Sequence, residues 1–182
     1  MSTSLTVQVT SGPSPATTAT AAFVKYDTST QGNWKGAYGS DGEVIANDSS
    51  TPPVYAQVNV AKLSSWTWVS STTDARALIK TNQSGRIASS WFDKATFDID
   101  VNLTDGVSHQ VALYVLDWDF NSRAERIDIL DAGNGTILNS MNASNFTGGE
   151  YLVWNLSGHV IARVTKTNSS SNAVVSGVFI NP

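Results

Sequence analysis

The strand signals of this chain centre on His109-Gln110-Val111-Ala112-Leu113-Tyr114-Val115-Leu116-Asp117-Trp118-Asp119-Phe120. From Val111 to Leu116 it is apolar without interruption, at strand length, and rich in Val, Leu and Tyr. Such a run lacks the polar alternation of a half-wetted strand and reads as a strand buried on both faces. The chemistry then changes abruptly to Asp117, Trp118, Asp119, Phe120, Asn121, Ser122 and Arg123. A buried strand that emerges into an acid–aromatic–acid loop is how a β-scaffold presents a site at its rim. Arg126-Ile127-Asp128-Ile129-Leu130 follows at once, so Val111 to Leu130 reads as a β-hairpin with a polar, aromatic tip. Taken singly, each aspartate is better explained as a residue that ends a strand and solubilises a turn.

Outward from this stretch the same signal recurs. Helix signals are nearly absent beyond Ala21, since no window joins sustained apolar spacing at three and four to a capping box. Candidate strands are 22–26, 44–46, 54–60, 66–70, 75–80, 87–91, 95–103, 136–140, 150–155, 159–165 and 174–180, besides the two above. Phe97-Asp98-Ile99-Asp100-Val101-Asn102-Leu103 alternates strictly, so one face packs inward and the other meets solvent. Turn signals stand between strands at Ser40-Asp41-Gly42, Thr104-Asp105-Gly106, Gly148-Gly149 and above all Asn134-Gly135, a strong hairpin signal. The fold class expected is all-β: a two-sheet antiparallel β-sandwich of jelly-roll type.

Composition narrows function. The 182 residues suffice for one domain with a real core. Charged residues are only 14%, with Ser, Thr, Asn and Gly in their place, and the net charge is −4 with no basic run. Nucleic-acid binding, which needs clustered Lys and Arg, is disfavoured. No apolar stretch approaches the roughly 20 residues of a membrane span. With no Cys there is no disulfide, thiol chemistry or Cys–zinc site. The two histidines, His109 and His159, lie far apart, each flanking a strand.

The first residues lack the basic and apolar regions of a secretion signal. Ser4 to Thr10 alternates like a strand, and Ser11 to Thr20 has the Pro/Ser/Thr/Ala composition of a linker. Residues 1–20 therefore read as a linker or the tail of a preceding module, and 21–182 as the domain, one module of a longer protein. The competing reading makes residues 4–10 an edge strand of this same domain.

Six Trp are a heavy load for this length. Trp154 lies within Tyr151-Leu152-Val153-Trp154 and reads as core. Trp66 and Trp68 share parity on one strand, so both face one side, as core or as a two-ring platform. Trp91 ends a strand beside Phe92. Trp34 and Tyr38 lie in a Gly-rich loop, residues 31–42, and Trp118 on the tip, where strand packing does not account for them. Sugar rings stack their C–H faces on indole while carboxylates, amides and guanidinium bond the hydroxyls, the usual mix of apolar platform and few convergent polar groups. The candidate ligand-binding residues are thus Trp34, Tyr38, Asp41, Asp117, Trp118, Asp119, Asn121 and Arg123, where the Gly-rich loop and the tip converge. In the competing reading each loop folds back and plugs itself with its own aromatic ring.

The segments DTSTQGNWKGAYGSDG, WVSSTTDARAL, HQVALYVLDWDFNSRAERIDILDA, GGEYLVWNLSGHVIARVT and NAVVSGVFI resemble an accessory domain of multimodular secreted bacterial proteins. That domain is similar to the galactose-binding-like jelly-roll carbohydrate-binding modules appended to glycoside hydrolases. The resemblance spans Ala21 to Asn181. It implies a non-catalytic, extracellular or cell-surface binder of a polysaccharide or oligosaccharide, monomeric and covalently part of a larger chain, that targets an attached enzyme or surface protein. It implies no required cofactor, though modules of this type often carry a structural calcium.

Two other chemistries compete. Asp117-x-Asp119-x-Asn121 with Asp128 mimics calcium-loop spacing, but it lacks the glycine at the sixth place and the closing glutamate. A β-sandwich glycoside hydrolase or lyase needs paired carboxylates about 5–10 Å apart, for which Asp117, Asp119, Glu125, Asp128 and Glu150 are candidates. No Glu-rich strand supports that, and no Ser/His/Asp motif is present. A structural spacer or adhesion module would have its Trp residues buried and no saturable ligand.

Overall fold

The computed structural model describes residues 18–169 and 172–182. The expected strand over 4–10 lies outside the described residues. In chain order the strands are β1 (Thr20–Asp27), β2 (Gly42–Ile45), β3 (Ser49–Thr51), β4 (Ala56–Asn59), β5 (Ser64–Thr72), β6 (Leu78–Ile79) and β7 (Arg86–Asp93). They continue with β8 (Thr96–Leu103), β9 (His109–Val115), β10 (Ala124–Asp131) and β11 (Ile137–Ser144). The last four are β12 (Glu150–Ser157), β13 (His159–Lys166), β14 (Ala173–Val175) and β15 (Gly177–Asn181). Among the described residues the helical content is one 3₁₀ turn, Phe146–Gly148.

The chain is an all-β antiparallel sandwich, as its strand patterning predicts. A six-stranded sheet runs β1-β12-β9-β15-β2-β3 and a five-stranded sheet runs β11-β10-β13-β8-β4. A smaller third sheet, β14-β7-β5 with β6 beside β7, adds to the two-sheet architecture expected from sequence. From β8 onward the chain changes sheet at almost every connection, so most pairings are distant in sequence.

β9 explains the layering. Val111, Leu113 and Val115 join the main core between the two large sheets, with Leu152, Trp154, Ile99, Val101, Ile127, Val160 and Val178. Ala112, Tyr114 and Leu116 point the other way, into a second apolar cluster with Tyr151, Val153 and Phe179. Both faces of β9 are covered, which is why its sequence shows no alternation. β8 has one covered face, and its buried positions Phe97, Ile99, Val101 and Leu103 alternate with half-exposed Asp98, Asp100 and Asn102. Trp154 is fully buried, with Nε1 donating to Asn139 Oδ1 at 2.9 Å, and Phe23 meets it edge-on at 5.5 Å.

One expected element is different. Val111 to Leu130 is not a hairpin: β9 pairs with β12 and β15, whereas β10 pairs with β11 and β13 in the other sheet. The acid–aromatic loop is a crossover from one sheet to the other. Two adjacent strand-like runs fix neither register nor partner, and the strands that pair with β9, β12 and β15, lie more than thirty residues away. The Asn134-Gly135 turn does join paired strands, β10 and β11, with Gly135 at φ 75° and its N–H donating to Asp131 O at 2.8 Å.

Candidate functional site

The Gly-rich loop lies on the outer face of the six-stranded sheet, and its aromatic rings face the protein. Trp34 and Tyr38 are each 3% exposed, which corrects the expectation that they stand open at the rim. Trp34 Nε1 donates to Ile79 O at 2.7 Å, and its ring lies 5.2 Å from that of Phe179. Tyr38 stacks on Tyr151 at 4.4 Å and its hydroxyl donates to Asp27 Oδ2 at 2.7 Å. Burial raises the Asp27 pKa less than the Thr30, Tyr38 and Ser29 donors lower it, so the carboxylate is held below its ordinary range. The same carboxylate, after burial itself, pushes the Tyr38 phenol up. The sheet's outer face needed an apolar cover, and this loop's rings supply it.

Gly32 and Gly39 serve this packing. A Cβ at Gly32 would lie 1.9 Å from Ala77 O, and one at Gly39 would press on the rings of Trp34 and Phe179. Asp41 lies apart from the tip, because Gly42 is in register with Ile180 and Val111 at the start of β9, and Asp117 follows its end. Five strand residues separate those ends by roughly 17 Å. Asp41 accepts from the Tyr55 hydroxyl and from Ser40 Oγ.

The tip folds around Asp117, which is 1% exposed. Its Oδ1 accepts the N–H of Asn121 at 3.1 Å, its Oδ2 the N–H of Arg123 at 3.2 Å, and the Arg123 guanidinium closes on it. To return the chain this tightly, Phe120 and Ser122 take φ of 57° and 54°. Trp118 packs half-buried against the outer aromatic cluster, under the Arg76 guanidinium 4.5 Å from its ring. Asn121 is exposed, and so is Phe120.

A further open aromatic surface, with a cleft beside it, is on the third sheet. β5 pairs with β7 so that Trp66 stands opposite Ser90 and Ser64 opposite Phe92. The register slips between Thr67 and Val69, leaving Trp68 as the extra residue of a β-bulge, a device that re-aims a side chain. Trp66 is 57% exposed, while Trp68 and Phe92 are half-buried. These three rings, with Ser90, wall one side of a cleft of about 370 Å³. Its other side is Asp119, Arg123 and Asn172. Trp91, on the opposite face of β7, is core.

Of the eight residues expected at the site, the structure brings Asp119 and Arg123 to this cleft, with Asp117 directly behind them. Arg123 Nη1 donates to both Asp117 and Asp119, and Nε and Nη2 donate to Asn172 Oδ1 at 3.3 and 3.2 Å. The guanidinium also lies 5.4 Å from the Trp68 ring. Partial burial raises the Asp119 pKa, but the hydrogen bond and charge of Arg123 outweigh it and hold the carboxylate below its ordinary value. Burial alone would lower the Arg123 pKa; the two aspartates reverse that and raise it. Behind the cleft, fully buried Glu125 accepts the Val174 N–H at 2.9 Å. Burial pushes its pKa up to about 8, against the weaker pull of that N–H and of Arg123.

Ser90, Phe92 and Asn172 were not singled out from sequence. The shared parity of Trp66 and Trp68 was the available signal; their partners across the strand pair depend on register, which the sequence of β7 does not print.

The calcium-loop spacing does not form a cation site. Asp117 is bound by Arg123, and Asp128 is in β10, held by the Arg126 guanidinium at 2.9 Å and by Ser140. Among the described residues no three His, Asp or Glu side chains converge to hold a metal ion, and no helix is long and apolar enough to cross a membrane.

No family model matches the chain, and no curated protein matches it. Among solved structures it is similar to the native structure of a family 35 carbohydrate-binding module from Clostridium thermocellum. The two are 15% identical with a TM-score of 0.41, over 76% of this chain and 97% of that one.

Proposed function

We propose that this domain is a non-catalytic carbohydrate binder whose ligand lies in the cleft between the Trp66–Trp68–Phe92 wall and the Asp119–Arg123–Asn172 wall. One observation carries the reading. Trp66 is a large aromatic side chain left mostly in water on a nine-residue edge strand, beside Trp68 and the fully buried Ser90 hydroxyl, which has no partner among the described residues. Exposed apolar surface next to unsatisfied polar groups is the composition of a ligand site. Ring faces offer stacking for sugar C–H groups, and Asp119 and Asn172 offer acceptors and donors for hydroxyls.

The carboxylates argue for binding over hydrolysis. Asp119 opens onto the cleft, but its neighbours Asp117 and Glu125 are 1% and 0% exposed, behind the Arg123 guanidinium. A glycosidase needs two carboxyl groups facing the scissile bond from either side. The proposed setting is a secreted, multimodular protein in which this domain holds an attached module near its polysaccharide.

Affinity electrophoresis through gels containing soluble β-glucan, xylan, mannan or galactan tests the reading. Retardation by at least one of them, without release of reducing ends, is the expected result. Release of reducing ends that Asp119→Asn abolishes would convert the reading to an enzyme, and absence of retardation in every gel would leave a structural spacer.

A further inference from the structure

Resting on the carbohydrate reading, we infer that the cleft selects an uncharged sugar chain and rejects its uronic acid counterpart. Arg123 is the one cation among the described residues that line the cleft.

A guanidinium has five N–H donors, and its usual way of recognising a carboxylate takes two of them in parallel. Arg123 has one N–H engaged by Asp117, one by Asp119, and Nε and Nη2 both engaged by Asn172. A single N–H is left, so no fork remains to receive an acidic sugar. The side chain is only 5% exposed and is fixed between two carboxylates and the Trp68 face, so it cannot swing outward without leaving Asp117 buried and unpaired.

The charges point the same way. Two carboxylates against one guanidinium leave the cleft with one negative charge, and the exposed member is Asp119, 36% accessible on the cleft side. Arg123 holds its Oδ1 and the Trp68 indole N–H faces the same carboxylate, which still leaves a carboxylate oxygen with a lone pair to accept from a sugar hydroxyl. Charge-assisted bonds of this kind are the stronger class. The same oxygen repels a uronate carboxylate at close range.

The test uses cello-, manno- and galacto-oligosaccharides, the same chains oxidised at C6 to uronic acids, and the methyl esters of those acids, titrated calorimetrically into the intact protein. The ester restores neutrality on the oxidised backbone, so acid against ester isolates charge. For whichever backbone binds, the ester should bind like the neutral parent and the acid roughly tenfold more weakly at low salt. The gap should shrink as salt is added and in Asp119→Asn, which removes the uncompensated charge. An acid that binds as well as or better than its ester overturns the inference while leaving the carbohydrate reading intact. Failure of every neutral chain, acid and ester to bind overturns both. The wild-type comparison requires no variant to fold.

Discussion

Two tryptophans from the same chain have opposite roles, and the difference is measurable. Trp34 fills the outer aromatic cluster and satisfies its N–H on Ile79 O, so truncation leaves a cavity and an orphaned carbonyl. Trp34→Ala should destabilise the domain by about 3–5 kcal/mol, read as a lower urea midpoint at unchanged slope. Trp66→Ala removes a ring that is mostly in water and should shift the same midpoint by no more than about 0.5 kcal/mol. Arg123 is a third case. Its removal leaves Asp117 buried without its counter-charge, and Arg123→Ala should cost about 3–5 kcal/mol. A loss near zero would show that Asp117 is already satisfied by the Asn121 and Arg123 backbone N–H groups.

At the scale of the element, the Gly-rich loop behaves as a cover strapped to the outer face of a sheet. Gly32 donates to Ala75 O at 2.9 Å and receives the Ile79 N–H at 3.0 Å, which brings the loop backbone against β6 and the turn before it. A Cβ there would meet Ala77 O at 1.9 Å, whereas one at Gly36 meets nothing within 4 Å. Gly32→Ala should therefore destabilise by more than Gly36→Ala, for which only the cost of φ 85°, about 1 kcal/mol, applies. Thermal melts of the two variants decide this, and equal losses would mean that the loop docks loosely. The cleft has the converse design. It stands on an edge strand and a bulge, where a ring can be aimed outward without opening the core.

At the scale of the whole molecule, buried Glu125 sets a pH dependence. Its folded pKa, about 8, lies above the ordinary 4.5. The folded state therefore holds a proton that the unfolded chain releases, and the stabilisation is fully present below about pH 4.5 and is lost as pH rises to about 8. Asp27, Asp74, Asp105 and Asp119 are all shifted downward, so their contribution is lost only on acidification below the ordinary carboxylate pKa, while burial shifts Glu150 upward like Glu125, a contribution common to wild type and Glu125→Gln that cancels in their difference. The melting temperature of the wild type minus that of Glu125→Gln should fall between about pH 5 and 8. A difference that stays flat would mean Glu125 titrates normally.

The same scale shows what the sequence discloses. Apolar runs and alternation report how many faces of a strand are covered, so β8, β9 and the core position of Trp154 were legible. Partner choice was not, because pairing across sheets is settled by the whole core at once, and the apparent hairpin after Leu116 is a crossover. Asp119 and Arg123 were legible as polar residues on a tip. Trp34 and Tyr38 misled because a Gly-rich polar loop looks the same from sequence whether its rings face water or a sheet in need of cover. Trp66 and Trp68 announced a shared face, and burial alone distinguishes platform from core.

Carbohydrate binding at the third-sheet cleft through Trp66 is decided by calorimetric titration of wild type, Trp66→Ala and Trp34→Ala with a glycan that retards the wild type in a gel, each protein checked for a native melt. Trp66→Ala should keep its fold and lose about 1–3 kcal/mol of binding, the range known for aromatic stacking on nucleic-acid bases, while Trp34→Ala, where still folded, should bind like wild type. Wild-type affinity in folded Trp66→Ala, with binding lost in Trp34→Ala that retains its native melt, would contradict the account.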